Sequence, residues 1–521
     1  MKRFVLIFLS AGLLSNLQAQ QWDESYANAP TNIRYESSNP TRLSYNEHYN
    51  HGVAVADFLS QNGHFHAADR SGDVRNLGVY IGGLRRIGKL DLGGHIRYSN
   101  LKENDLQWRS TLWLDPLNPF AICDSVSSDI TTESFDLGAA ASFQFSSRLK
   151  GALEINLQTG TLSGQSDPRP KTHTSVIPIT AGVEYQFAPR WTVGASVGIN
   201  LYHSTIEYTN INPLLYRTYF LMKGIGDNYT RSSNDDAAYQ RKYRGATWSG
   251  ALQATWAGEG MADFIEVRIA SGNQDATDGG SSYKFKGGDY KSTKMGLTNR
   301  FQLKTARTLQ NLTLAANFQK GEGTWYDQKR MIDTEHANRL YYTILDKYKI
   351  HDVTAFDASL QYRIDFLKEN AARNIYIEAG ATFKNVTAKH YLNTETPQQE
   401  IGSLDLQASV GKIFHPGKVT LLAELGGGYS MPTTTTYANG SDFGEGDGIT
   451  APYTRRQFEY SSAGKALLKA LVDAQMPIGK DLKVGAFAKG SCLFYTGDEE
   501  NWIGYKSTSY TTAQVGVYLN F

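Results

Sequence analysis

The sequence predicts an all-β fold, a transmembrane antiparallel barrel of about 18 strands (16–18). Three observations predict it. First, Thr511, Ala513, Val515, Val517, Leu519 and Phe521 alternate with Thr512, Gln514, Gly516, Tyr518 and Asn520. That period of two makes a ribbon with one apolar and one polar face. Second, the same alternation recurs along the chain in segments of about ten residues, the length a tilted strand needs to cross a bilayer. Third, short and long connections alternate, as in a barrel with tight turns on one side and loops on the other.

The elements follow in order. Lys2 and Arg3, the apolar stretch 4–14 and the small residue Ala19 have the layout of a secretory signal, so residues 1–19 are expected to be cleaved on export. Residues 20–51 are polar, with Asn28, Pro30, Asn39 and Pro40, and form an N-terminal segment on the periplasmic side. They either trail as a tail or fold into the lumen, and they are too few for a large plug domain. Residues 52–521 form the barrel.

Clear outward faces are Phe135, Leu137, Ala139, Ala141, Phe143 and Phe145; Leu149, Leu153, Ile155 and Leu157; Ile177, Ile179, Ala181, Val183, Tyr185 and Phe187. Further along come Trp191, Val193, Ala195, Val197, Ile199 and Leu201, then Phe356, Ala358, Leu360, Tyr362, Ile364 and Phe366. Pro178 is a misfit within its strand and belongs at a bulge or where pairing is incomplete. The least regular strands are the first, about residues 52–69, and a long one around 457–476. Nine outer and eight inner connections place both termini on the short-turn side.

Composition agrees. Glycine (49) and tyrosine (31) are abundant and proline (14) is scarce, which suits a long antiparallel β protein with aromatic belts. No run of 18 apolar residues supports a membrane-spanning helix. A net charge of +1 gives no argument for a nucleic-acid partner. Closure of the sheet supplies every backbone amide in hydrocarbon with a partner. The residues facing a wet lumen then include Glu154, Glu184, Asp357, Arg363, Glu378, Glu424, Lys483 and Lys489. Their mixed signs predict no strong ion selectivity.

Catalytic and metal motifs are weak. Gly194-Ala195-Ser196-Val197-Gly198 matches a hydrolase elbow, but Ser196 falls mid-strand, where the motif needs a strand–turn–helix. His64 and His66 share a face and could bind a metal, and Asp442, Glu445 and Asp447 could hold calcium in a glycine-rich loop. The plainer reading of each is solvated or hydrogen-bonded side chains. No catalytic residue, cofactor or metal ligand is assigned. Cys123 and Cys492 pair only if the fold brings them together. Trp108, Trp113 and Phe120 lie in a loop rich in aromatics and turn formers, and are candidates for contact with a partner or for constricting the mouth.

The run Trp108…Leu114-Asp115-Pro116…Asn118-Pro119-Phe120, then Ser134-Phe135-Asp136-Leu137 and Asp167-Pro168-Arg169-Pro170, resembles an uncharacterised family of Bacteroidota outer-membrane β-barrels. The resemblance covers nearly the whole mature chain. It implies a place in the outer membrane and assembly by the barrel-assembly machinery, with Phe521 as the terminal signal. It also implies a neighbourhood of TonB-dependent receptors and surface lipoproteins, hence a role in uptake. The expected function is a pore or accessory barrel in nutrient or metal uptake. The alternatives are a non-conducting scaffold, whose loops 206–240 and Trp108–Phe120 bind a surface protein, and an outer-membrane hydrolase.

Overall fold

A computed structural model describes residues 33–34, 37–45, 50–212, 214–233, 238–279, 284–335, 339–368, 373–391, 396–438, 450–497 and 508–521. Eighteen strands form one antiparallel sheet that closes on itself. In chain order the strands are β1 (His51–Gly63), β2 (Asp73–Ile87), β3 (Leu90–Leu106), β4 (Ile122–Cys123), β5 (Ser128–Gln144), β6 (Leu149–Gly164) and β7 (Pro170–Ala188). Then come β8 (Trp191–Thr209), β9 (Thr218–Gly224), β10 (Asp227–Ser232), β11 (Ala238–Ala257), β12 (Met261–Asp278), β13 (Phe285–Lys304) and β14 (Thr308–Asp333). The last are β15 (Arg339–Leu367), β16 (Arg373–His390), β17 (Gln398–Phe414), β18 (Thr420–Ala438), β19 (Lys465–Pro477), β20 (Lys483–Tyr495) and β21 (Ser509–Asn520).

The barrel closes between β1 and β21, from Val53↔Asn520 to Gly63↔Tyr510. The chain ends reinforce this seam: Gly52 donates to the Phe521 carbonyl at 2.6 Å and Phe521 to that of Gly52 at 2.9 Å. Strands β4, β9 and β10 are not in the wall. They make a separate three-stranded sheet.

Alternation decides which way each side chain faces. Leu77, Val79 and Ile81, Val183, Tyr185 and Phe187, Leu252, Leu425, Leu468, Val515 and Val517 are all exposed on the outer surface. A soluble protein would bury them; a hydrocarbon solvent stabilises them outside. Phe145, Phe187, Trp191, Phe366 and Phe414 stand exposed next to the short turns, as an aromatic girdle at that end.

Several details differ from the sequence reading. The first strand stops at Gly63, where the backbone turns (φ 149°) and Phe65 folds inward to full burial. The stretch around 457 is helical: α1 (Thr450–Ser462) precedes β19. Its Ser461 and Ser462 hydroxyls bond back to the Gln457 and Phe458 carbonyls, and Tyr460 packs on Phe65 at 5.2 Å. The helix sets Tyr453 against Trp108 and Tyr460 against Phe65. Pro178 sits where pairing is incomplete: β6 and β7 pair through Ile155↔Ile179 and resume at Gln158↔Val176. Cys123 and Cys492 are both free. Beyond Asp289↔Thr324 and His351↔His390, β14 and β15 continue together as a two-stranded ribbon on the long-loop side, with no third strand paired to it among the described residues.

Candidate functional site: the occupied lumen

Two parts of the chain fill the barrel from opposite ends. At the long-loop end, the segment after β3 and the β9–β10 hairpin turn inward and pack against the wall. Phe120, Ile122, Tyr219 and Leu221 from these segments are buried against Tyr202, Tyr208, Tyr239, Tyr243, Tyr290 and Trp325 of the wall strands. β4 joins the hairpin by Ile122↔Leu221 and Cys123↔Phe220. The hairpin strand Tyr219–Met222 is buried on both faces, as befits a sheet enclosed by a barrel.

Polar anchors fix this inner core. Arg241 and Asp278, both fully buried, pair through two bonds of 2.5 and 2.6 Å. Arg241 Nη1 and the Tyr243 hydroxyl both donate to the Phe120 carbonyl, at 3.0 and 2.7 Å. The Phe120 ring rests on Gly288 (φ 121°), where a Cβ would lie 2.5 Å from it. Asp115 pairs with Lys294 at 2.8 Å and accepts from Gln319, and Asn118 donates to Gln274. Tyr202 donates to the Leu112 carbonyl and Tyr208 to the Ser110 hydroxyl. The Asp115–Phe120 motif is thus a set of lumen anchors.

Of the two readings of Trp108, Trp113 and Phe120, contact with a partner or constriction of the mouth, the inward packing agrees with the second and departs from the first, in which they are outer-loop contacts. Phe120 is fully buried. Trp108 stacks on Tyr453 of α1 at 4.5 Å and on Phe220 at 5.3 Å. Trp113 packs against both Leu112–Leu162 and the tyrosine core. Aromatic side chains in a long loop found their apolar surroundings inside the barrel. Beside them, Asp124 is buried in the loop after β4. Burial pushes its carboxyl up to about 6, against the lowering effects of the Val126 N–H and Arg217.

At the short-turn end, Arg34 and residues 37–45, which include a 3₁₀ turn (Pro40–Tyr45), lie inside along the wall. Of the two positions open to the N-terminal segment, its described residues take the lumen. Asn39 donates to the Val183 and Ala195 carbonyls at 3.0 and 3.2 Å. Ser37 and Ser38 bond to the buried Glu266 at 2.8–3.0 Å. Arg42 pairs with Glu154 at 2.7 Å, and Ser44 meets Ser142 at 2.7 Å. Arg34 bonds to Thr255 and stands 4.0 Å from Glu184.

The residues expected to line the lumen fall on inward positions by this alternation, five of them in two groups and three apart. Glu154 and Glu184 lie under the N-terminal segment. Arg363 joins Asp365 at 2.9 Å and Glu378 at 3.8 Å, and lies over the Tyr376 ring. Tyr376 in turn bonds to Glu424, which pairs with Lys469 at 3.2 Å. Asp357 accepts from Asn317 at 2.8 Å, Lys489 is buried over Phe487, and Lys483 stays exposed at the strand end. Ser196 faces inward, near Ser38 and Gln253. His66 bonds to the Ala67 carbonyl, and among the described residues no group of three His, Cys, Asp or Glu is placed to hold a metal. Asp442, Glu445 and Asp447 lie outside the described residues.

The sequence reading missed the β9–β10 hairpin. Its signal was the unbroken apolar run Tyr219–Met222, the mark of a strand buried on both faces. It also missed Arg241, Asp278 and Tyr243, which sit in strands whose alternation is ordinary.

Fold and site define a transmembrane β-barrel of eighteen strands whose lumen is occupied by its own chain. The chain belongs to a family of unknown function, DUF6850, whose model matches residues 40–521. No curated protein matches it in sequence. Among solved structures it is similar to the copper transporter OprC (TM-score 0.40, 10% identity, 90% of this chain and 80% of that one). It is also similar to BauA, the ferric preacinetobactin receptor from Acinetobacter baumannii (0.38, 8%, 90% and 80%), and to a Pseudomonas aeruginosa FadL homologue (0.35, 9%, 96% and 97%). At these scores the likeness carries no argument about function; the fold rests on the strand register.

Proposed function

We propose that this is an outer-membrane barrel of the transport type, a pore or accessory barrel in nutrient or metal uptake, closed at rest by its own segments. The observation that carries the reading is a wide membrane wall around a charged lumen, with the long-loop half filled by a core anchored through Arg241, Asp278 and Tyr243. A barrel of this size would leave an aqueous passage were it empty. A passage of that kind opens only when the inner sheet moves aside. The apolar outer belt and the aromatic girdle support the outer membrane as its location.

Liposome swelling tests this. The parent protein should admit sugars and amino acids slowly. Arg241→Ala with Tyr243→Phe should admit them at least several-fold faster. Equal, negligible rates in both would overturn the transport reading.

One observation favours a second reading, a scaffold for another surface protein. Ile211, Leu214 and Tyr216 are exposed (59, 83 and 69%) on a knuckle held rigid by Asp167 and Asn210. On β8, the polar outward residues His203, Thr205 and Glu207 separate the knuckle from the apolar belt, which ends at Leu201. Lipid therefore does not cover it.

A further inference from the structure

The two fillings differ in kind. The outer one is an apolar core. The inner one is held almost wholly by polar contacts: Ser37, Ser38, Asn39, Arg42 and Ser44 each reach a wall side chain or carbonyl. A polar contact inside a lumen is readily exchanged, because water can take the place of either partner.

The wall beneath the segment is of mixed charge: Arg86 and Arg300 donate to the Ser44 and Ile33 carbonyls at 3.3 and 3.4 Å, beside three carboxylates. Glu154, Glu184 and Glu266 stand on β6, β7 and β12 and all face the segment. Glu266 has a wall cation, Arg268, at 3.1 Å. The ion partners of Glu154 and Glu184 come from the segment, Arg42 and Arg34, eight positions apart. Lys150 of the wall is turned onto the Tyr45 ring of the segment, 3.8 Å from its centroid. Among the described residues, Glu184 is buried to 3% exposure and its Oε2 has no hydrogen-bond partner. A buried carboxylate oxygen left open in a groove is a recognition group not fully used by its occupant.

The groove also has a shape that only a backbone-close ligand fits. Gly182 and Gly194 form its floor, and a Cβ at Gly182 would lie 2.1 Å from Asn39 Oδ1. Asn39 can then bond to the carbonyls of two paired wall residues, Val183 on β7 and Ala195 on β8. Its side-chain oxygen caps the turn by accepting from the Thr41 N–H at 3.1 Å and its hydroxyl at 2.9 Å.

We propose that this groove, between β6 and β12 at the short-turn end, is an exchangeable peptide-binding site whose recognition groups are Glu154 and Glu184. It takes a turn-forming segment carrying two cationic side chains about eight residues apart, and the chain's own Arg34 and residues 37–45 are its resident occupant. A cationic segment of a protein on the short-turn side can replace it. The inference does not depend on solute passage.

The test uses the full-length chain with Ser44→Cys and Ser142→Cys, positions whose hydroxyls stand 2.7 Å apart. Disulfide formation reports a docked segment. Adding Arg34→Ala and Arg42→Ala should slow that bond about tenfold. The double-arginine variant, tested without the cysteines, should then bind a synthetic peptide of residues 33–45 saturably, by fluorescence anisotropy. The parent, with its own segment in place, should bind it at least tenfold more weakly. Glu154→Gln with Glu184→Gln should abolish binding to the vacated groove. An unchanged disulfide rate overturns the proposal, because charge then does not hold the segment. A vacated groove that binds no peptide, or equal binding by parent and variant, overturns it as well.

Discussion

Single residues hold the outer filling in place, and Arg241 is the clearest of them. With Asp278 it forms a fully buried ion pair, and its remaining nitrogen holds the Phe120 carbonyl. Removing one partner strands the other charge. Arg241→Ala should therefore destabilise the inner core by about 3–5 kcal/mol, while Arg241→Met with Asp278→Leu should cost far less. Urea titrations followed by tryptophan fluorescence distinguish the two. Asp124 makes a pH prediction. Its folded pKa is raised to about 6, above the ordinary 3.8, so the folded core prefers the protonated acid. That contribution is complete below about pH 4 and is lost as pH rises through about 6. Asp124→Asn should stabilise the core at pH 7–8, and its advantage should vanish below pH 4. An advantage that stays constant across this range would contradict the burial argument. Gly288→Ala should loosen Phe120, because its Cβ has no room beside the ring.

At the scale of elements, the wall was legible and the lumen was not. Strands such as β7 and β8 advertise themselves because lipid and lumen impose opposite demands on alternate residues. Ile177–Phe187 and Trp191–Leu201 could be read directly, and Pro178 marked its own gap in the ladder. That gap predicts faster amide exchange at Asn156 and Leu157 than at Leu153 and Ile155, by hydrogen-exchange mass spectrometry; uniform protection along β6 would contradict it. Elements enclosed by the barrel carry no such alternation. β9 is apolar on both faces, and α1 takes the first residues of the long strand expected around 457–476. Trp108, Trp113 and Phe120 were recognisable as a cluster, but exposure and burial look alike in a loop sequence. Glu154 and Glu184 could be assigned to the lumen from period alone. Their partners, Arg42 and Arg34, lie more than a hundred positions away and leave no local trace.

The whole molecule is a closed wall with two internal fillings of different chemistry. The apolar one at the long-loop end is cooperative, because its sheet, its tyrosines and its polar anchors support one another. The polar one at the short-turn end engages the wall through side chains that water can replace. A closed barrel with separable fillings suits controlled passage, in which the two ends open by different means. Thr209 and Ala238 are register partners on adjacent strands, so a short turn can replace residues 211–236 without disturbing the wall. The most direct test is single-channel conductance in a planar bilayer, comparing the full-length protein with that shortened variant. The account predicts silence or brief, small openings in the full-length protein and steady conductance in the variant. Silence in both would contradict it, since on this account the polar short-turn filling, whose contacts water can replace, does not keep the lumen shut once the inner sheet is gone.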